Sequence, residues 1–240
     1  MQASDTTVLV DAGISARRIT RGLEALGLGA KVDAIFVSHE HTDHCSALGV
    51  VAQRFACPIY ANERTLAEIS PFLKGGEKLV ATTRGHSFSF QDLEVSAFHV
   101  SHDASDPCGY TFFDGQHRVG VCTDLGALTD EVRAHLSRCH AVCFEANHDP
   151  ELLQSGRYPE QLKSRIRGAQ GHISNAEAGQ GLAMMALEGR LKHVILAHLS
   201  EHNNRPELAL KTVKKCLKMY DLELDVSLAH KTSPSKLIAL

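Results

Sequence analysis

The chain has 240 residues, enough for one large α/β domain with a full core, and 43% hydrophobic with 22% charged residues is the composition of a folded protein. A formal charge of −3 gives no global basic field, so any hold on nucleic acid must rest on a local patch. No apolar run approaches the ~18 residues of a membrane span, and seven cysteines without a CxxC pair or a signal-peptide pattern read as reduced thiols in a cytoplasmic protein.

In chain order, short β-type runs alternate with helical ones. TTVLVDAG (6–13) predicts a buried strand stopped by Gly13, and residues 15–28 predict an amphipathic helix closed by a glycine. VDAIFVS (32–38) is a strand, SALGVVAQRFA (46–56) a helix with Pro58 just beyond it, PIYANE a strand and ERTLAEI a short helix. From Lys78 to Phe113 the pattern turns to β, in KLVATTR, HSFSF, LEVSAFHVS and GYTFF, and HRVGVCTD continues it. Helices are predicted over TDEVRAHLSRC, PEQLKSRIRG, NAEAGQGLAMMALEG (with Ser174 and Glu177 as a capping box) and RPELALKTVKKCLKMY. Strands are predicted over HAVCFEAN, LKHVILAHLS and LELDVSLAH. With no linker and no internal repeat, the expectation is a single domain over 1–240, its sheets covered by helices.

Polar residues concentrate where apolar strands end. IFVSHEHTDHC (35–45) breaks from a strand into His39, His41, Asp43 and His44 within six positions. His102, Asp124 and His198 each stand as the first strong ligand type beyond a strand. If those strands end on one edge, their loops converge there. One histidine at a strand end is more often structural, but four such groups in six positions would be costly to bury without a metal. Imidazole and carboxylate donors suit zinc, manganese or iron. Seven ligands exceed one tetrahedral ion and suit two ions sharing a carboxylate, which makes hydroxide available near neutral pH.

SHEHTDH resembles the HxHxDH signature of the metallo-β-lactamase superfamily, and VLVDAG the strand before it. SHDASDPCGY, TDLG, FEANHD, YPEQLKSRI, GHISNAEA and LAHLSEHNN extend the resemblance, in order, to the YycJ/WalJ-type branch. It implies a four-layer αββα sandwich, with His39, His41 and His102 on one ion, Asp43, His44 and His198 on the other, and Asp124 between them. It also implies a phosphodiesterase or nuclease tied to DNA metabolism. Members of that branch begin with a Ser/Gly/Asn segment where this chain reads MQASDTT, which implies a later start or a missing loop at the site rim and bears on substrate affinity more than on metal binding.

Asp43 and His172 are the candidate catalytic residues. GHISNAEAG is similar to the ribonuclease Z segment whose histidine acts beside the leaving group, which implies proton donation by His172. FEANHD delivers Glu145, Asn147, His148 and Asp149 to the same edge, with Asn147 and His148 as substrate contacts and His148 competing with His198 as a ligand. His230, which ends the last predicted strand, is a weaker candidate. His86 imitates a thioesterase-type Gly-His without its Thr-Pro, so it reads as a decoy, and His99 as a core histidine. Arg157, Lys163, Arg165 and Arg167 read as a solvated helix face from which Arg165 and Arg167 can meet phosphates. Ser200, Asn203 and Asn204 are further substrate candidates.

The expected function is a dinuclear, metal-dependent phosphodiesterase or nuclease using a metal-bridging hydroxide. Its few local cations favour recognition of strand ends over base patterns, hence exonuclease-like action on DNA rather than RNA. The alternative is a small-molecule hydrolase of a lactone, thioester or cyclic phosphodiester; a metal-binding module without turnover would not need the whole ligand set. An electron-transfer di-iron relative would carry Glu for the second histidine of the cluster. Metal identity, cleavage polarity and oligomeric state stay open at this level.

Overall fold

The computed structural model describes residues 1–28 and 31–240. The chain divides into two compact units, one of Met1–Ala97 with Ala104–Tyr110, the other of Phe98–Asp103 with Thr111–Leu240.

The first unit runs β1 (Gln2–Ala3), β2 (Thr6–Val10), α1 (Ala16–Ala25), β3 (Ala34–Phe36), α2 (Thr42–Cys45), α3 (Leu48–Phe55), β4 (Ile59–Asn62), α4 (Glu63–Glu68), β5 (Leu79–Thr82), β6 (Ser87–Phe90) and β7 (Leu93–His99), whose last two residues cross into the second unit. β8 (Cys108–Phe113) has its first three residues in the first unit and its last three in the second, which goes on with β9 (Arg118–Cys122), α5 (Asp130–Leu136), β10 (Ala141–Glu145), α6 (Pro150–Ser155), α7 (Glu160–Arg167), α8 (Asn175–Glu188), β11 (His193–Ala197), α9 (Pro206–Lys218) and β12 (Asp225–Leu228). The strands form a five-stranded sheet, β1-β2-β3-β4-β5, and a seven-stranded one, β12-β11-β10-β9-β8-β7-β6.

In the first unit β2, β3, β4 and β5 pair in parallel. Parallel strands are covered on both faces, which is why β3 reads as the unbroken apolar run Ala34, Ile35, Phe36, all buried. Ile35, Val37, Leu48, Val51 and Ile59 anchor the core there. Phe36 stacks on Tyr60 at 4.9 Å and meets Phe90 and Tyr110 edge-on at 5.9 and 5.4 Å, so one aromatic cluster joins β6 to the first sheet. In the second unit β9, β10, β11 and β12 are parallel in one register. Phe98, Leu125, Phe144, Leu182 and Leu196 are in the core beneath α5, α8 and α9.

Most expected elements are present, with four differences. The β block from Lys78 splits, because β5 pairs with β4 in the first sheet while β6 opens the second. The helix predicted over 46–56 starts at Leu48, and Asp43 and His44 sit on the separate four-residue α2. α6, capped by Asp149 Oδ1 accepting from Glu151 and Leu152 N–H, has no counterpart in the sequence reading. Helix α1 ends at Ala25, with Gly27 at φ +69°, while the glycine that follows the predicted segment, Gly29, lies outside the described residues. The capping box holds: Ser174 Oγ accepts from Glu177 N and Glu177 accepts from Ser174 N.

No described helix is long and apolar enough to cross a membrane. All seven cysteines are free, and burial pushes Cys57 up to about 11 and Cys108 and Cys139 to about 12, which leaves these thiols inert.

Candidate metal centre

In the first unit the cluster follows β3. The chain turns out of the strand at Ser38 and presents His39 and His41 before α2 carries Asp43 and His44. The stop glycine of the β2 segment is needed for contact rather than for a turn: a Cβ on Gly13 would lie 1.3 Å from the Asp43 carbonyl oxygen. Backbone bonds from Ala12 N to His44 O (2.7 Å) and Ala47 N to Ala12 O (2.9 Å) fasten α2 there. The rings of His39 and His41 lie 4.6 Å apart and those of His39 and His44 4.2 Å apart.

Asp11 organises this group. Its carboxylate accepts from Ser38 N (2.7 Å), from Ser38 Oγ (2.8 Å) and from His44 Nδ1 (2.7 Å). Because the Ser38 hydroxyl proton goes to Asp11, the Ser38 oxygen is left to accept from His39 Nδ1 at 2.9 Å. Both rings are thereby turned to present Nε2, the arrangement in which a carboxylate fixes the tautomer of a metal-ligating histidine.

The second unit repeats the device with Glu145, the last residue of β10 and fully buried. Glu145 Oε1 accepts from Nδ1 of His172 (2.9 Å) and of His198 (2.8 Å), and from Asp124 N (3.2 Å). Its Oε2 accepts from Leu125 N (2.9 Å) and Ile173 N (3.2 Å). Burial alone would raise this carboxyl, but the bonds from His172 and His198 outweigh it and hold it below the usual carboxylate range. His102 Nδ1 donates to Gly171 O at 3.1 Å. The Nε2 atoms of His102 and His198 then lie 3.6 and 3.5 Å from the same Asp124 oxygen. Asp124, Glu145, His172 and His198 bring their ligand atoms within 4.8 Å of one another.

Asp11, Asp124 and His198 all have positive φ, at 62°, 57° and 56°. Outside glycine this conformation is uncommon and persists where surrounding contacts impose it, often at functional sites. Burial holds His102 and His148 below the ordinary imidazole value, which favours the neutral form a metal needs. Imidazole Nε2 atoms and carboxylate oxygens, with the rings of His39, His44, His102 and His198 held through Nδ1, are donors that fit a divalent ion.

Of the two rivals at the strand ends, His198 faces Asp124, while His148 is 3% exposed and in no ligand cluster among the described residues. Asn147 Nδ2 donates to His198 O at 3.0 Å, so it supports that loop. Asn204 donates to the carbonyls of Ala146 and Asn147 and to Asn175 Oδ1, and Asn203 is 1% exposed beside Ser200. These buried amides brace the loops that follow β10 and β11. Arg165 is exposed and pairs with Asp103 at 2.5 Å, and Asp103 lies 3.4 Å from His102 Nε2, so this guanidinium is held near His102. Arg167 donates to Gln154 at 2.5 Å. Lys163, expected on a solvated face, is buried, and its ammonium bonds Gln154 O at 2.7 Å and Glu160 at 2.9 Å. His86 and His230 are exposed. Sequence reasoning missed the roles of Asp11 and Glu145, although VLVDAG and FEANHD both place a carboxylate directly at a strand end.

Residues 6–199 match the family described as the β-lactamase superfamily domain, across both units. The chain is 36% identical over 214 residues to exodeoxyribonuclease YycJ of Bacillus anthracis, covering 88% of this chain and 80% of the relative. It is 34% identical to exodeoxyribonuclease WalJ of Streptococcus pneumoniae over 98% of this chain and 89% of that one. Among solved structures, the metallo-β-lactamase fold protein YhfI of Bacillus subtilis superposes with a TM-score of 0.71 at 19% identity, over 97% of this chain and 87% of that one. Zn(2+)-bound PqqB of Methylobacterium extorquens gives 0.72 at 17%, over 100% and 85%. The chain has the metallo-β-lactamase fold and belongs to the β-lactamase superfamily.

Proposed function

We propose that the protein is a metal-dependent exodeoxyribonuclease with two divalent ions, zinc or manganese, per chain. The metal reading is carried by the two imidazole Nε2 atoms that flank one oxygen of Asp124 at 3.6 and 3.5 Å. DNA as substrate is supported by relatives of that name at 34–36% identity. His39, His41 and His102 are assigned to one ion and Asp43, His44 and His198 to the other, with Asp124 shared. When bound, such ions supply hydroxide at neutral pH and polarise the phosphoryl oxygen.

The chain's own residues do the rest. Asp11 and Glu145 keep Nε2 of the ligating rings aimed inward. His172, 20% exposed and held by Glu145 with its ring 5.1 Å from those of both His102 and His198, is assigned proton donation to the departing oxygen. Arg165 steers a phosphate beside His102 by exchanging its Asp103 partner. The seven free thiols suit a cytoplasmic setting.

The experiment that tests the reaction class offers the metal-loaded protein bis-p-nitrophenyl phosphate beside a lactone and a thioester. Turnover of the phosphodiester is expected, and preference for either acyl substrate overturns the reading. His172→Ala is expected to retain both ions and to slow hydrolysis by roughly 10²- to 10⁴-fold for poor leaving groups. Release of p-nitrophenolate should suffer far less, since it needs little protonation. An equal loss on both, or a lost ion, would assign His172 a different role.

A further inference from the structure

The second unit carries a feature that the metal centre does not use. Strands β9, β10 and β11 run in one register, Val119 beside Ala141 beside His193. Asp124, Glu145 and His198 mark their C-terminal ends, and Arg118, His140 and Lys192 their N-terminal ends. At ~3.3 Å per residue these two edges are about 20 Å apart. At the N-terminal edge lies a cavity of about 590 Å³ lined by Arg118, Arg138, Arg190, His140, Glu188 and Phe113.

Three arginines line it with one carboxylate, that of Glu188, which pairs with Arg133 at 3.1 Å. Neither Arg138 nor Arg190 has a carboxylate partner among the described residues. Arg118 is preorganised, its guanidinium 4.6 Å above the Phe113 ring with Nη1 donating to Thr111 Oγ1 at 3.4 Å. The backbone fixes the spacing of the others. Arg190 N donates to Ser137 O (3.2 Å), His140 N to Arg118 O (2.7 Å) and Lys192 N to His140 O (2.9 Å). Gly189 permits this approach, since a Cβ there would fall 1.6 Å from Ser137 O. His140 is held below the ordinary imidazole value by burial first and then by the positive charge of His117, Arg190 and Lys192, so the region already has a cationic field.

We propose that this cavity is a second anion site, distinct from the metal centre, that binds a phosphomonoester of nucleotide size. Guanidinium forks match phosphate oxygens bidentately, and the volume falls in the range of small-ligand sites, ~300–1,000 Å³. The phosphate can belong to a free nucleotide or to the end of a strand.

Calorimetric titration with 5′-deoxyadenosine monophosphate tests it, beside deoxyadenosine, inorganic phosphate and a 5′-phosphorylated oligonucleotide with uncleavable linkages. Wild type and Asp124→Ala are both expected to bind the monophosphate here, and Arg138→Glu/Arg190→Glu to bind it at least tenfold more weakly. Deoxyadenosine should not bind. A tighter hold on the monophosphate than on the oligonucleotide identifies the free nucleotide as the source, and the reverse identifies the strand end. If the double charge reversal does not fold, as judged by thermal melting, Arg190→Gln serves with the same expected direction. Unchanged binding in the arginine variants, or its disappearance in Asp124→Ala, overturns the proposal.

Discussion

Replacement of Asp124 by alanine is expected to remove both metal ions together and to reduce turnover to that of metal-stripped protein. Asp124 is 3% exposed, and its Oδ1 has two imidazole Nε2 atoms near it, that of His102 at 3.6 Å and that of His198 at 3.5 Å. A carboxylate so placed serves both halves of a pair, whereas loss of a terminal ligand such as His41 should weaken chiefly one ion. The positive φ of Asp124 sharpens the comparison. Asparagine tolerates that conformation, so Asp124→Asn should keep the backbone while losing the charge. Elemental analysis of both variants is the check. Two ions retained in Asp124→Ala would refute the shared-ligand assignment.

The second large effect is expected at Glu145. Five donors converge on its two oxygens, and Glu145→Ala leaves all five without that acceptor in a buried site. Each buried group left unpaired costs about 1–3 kcal/mol, so the variant should be destabilised by several kcal/mol. Glu145→Gln separates packing from orientation. It preserves volume but sets an amide donor against the imidazole or backbone N–H groups, so His198 and His172 lose their common anchor. Removal of such a partner typically weakens metal affinity by about 10- to 100-fold. Urea melts read the first effect and competition with a chelator the second. Wild-type metal affinity in Glu145→Gln would mean that Glu145 does not position the ligands.

The residues proposed to bind metal stand out in the sequence because their chemistry is dense and their positions follow a rule. His39, His41, Asp43 and His44 crowd into six positions that begin three residues after β3, Asp124 comes two residues after β9, and His198 directly follows β11. Asp11 and Glu145 were not legible as organisers. A carboxylate at a strand end looks the same whether it will hold a metal, a histidine ring or a backbone amide, and only the fold brings His172 and His198 to one oxygen. In FEANHD the same ambiguity covered Asn147 and Asp149, of which one supports the His198 loop and the other caps α6. That helix is six residues long and opens with Pro150, too short for its periodicity to register. Lys163 misled for a different reason: its stem is buried against α6 while its ammonium reaches Gln154 O, which a one-dimensional charge pattern cannot distinguish from exposure.

The most direct test of the account is digestion of linear and covalently closed circular duplex DNA by protein carrying two equivalents of zinc or manganese. The account predicts that mononucleotides are released from linear DNA alone, that a chelator stops it, and that Arg165→Ala slows it. Equal cutting of the closed circle, or undiminished digestion after the ions are removed, would contradict it.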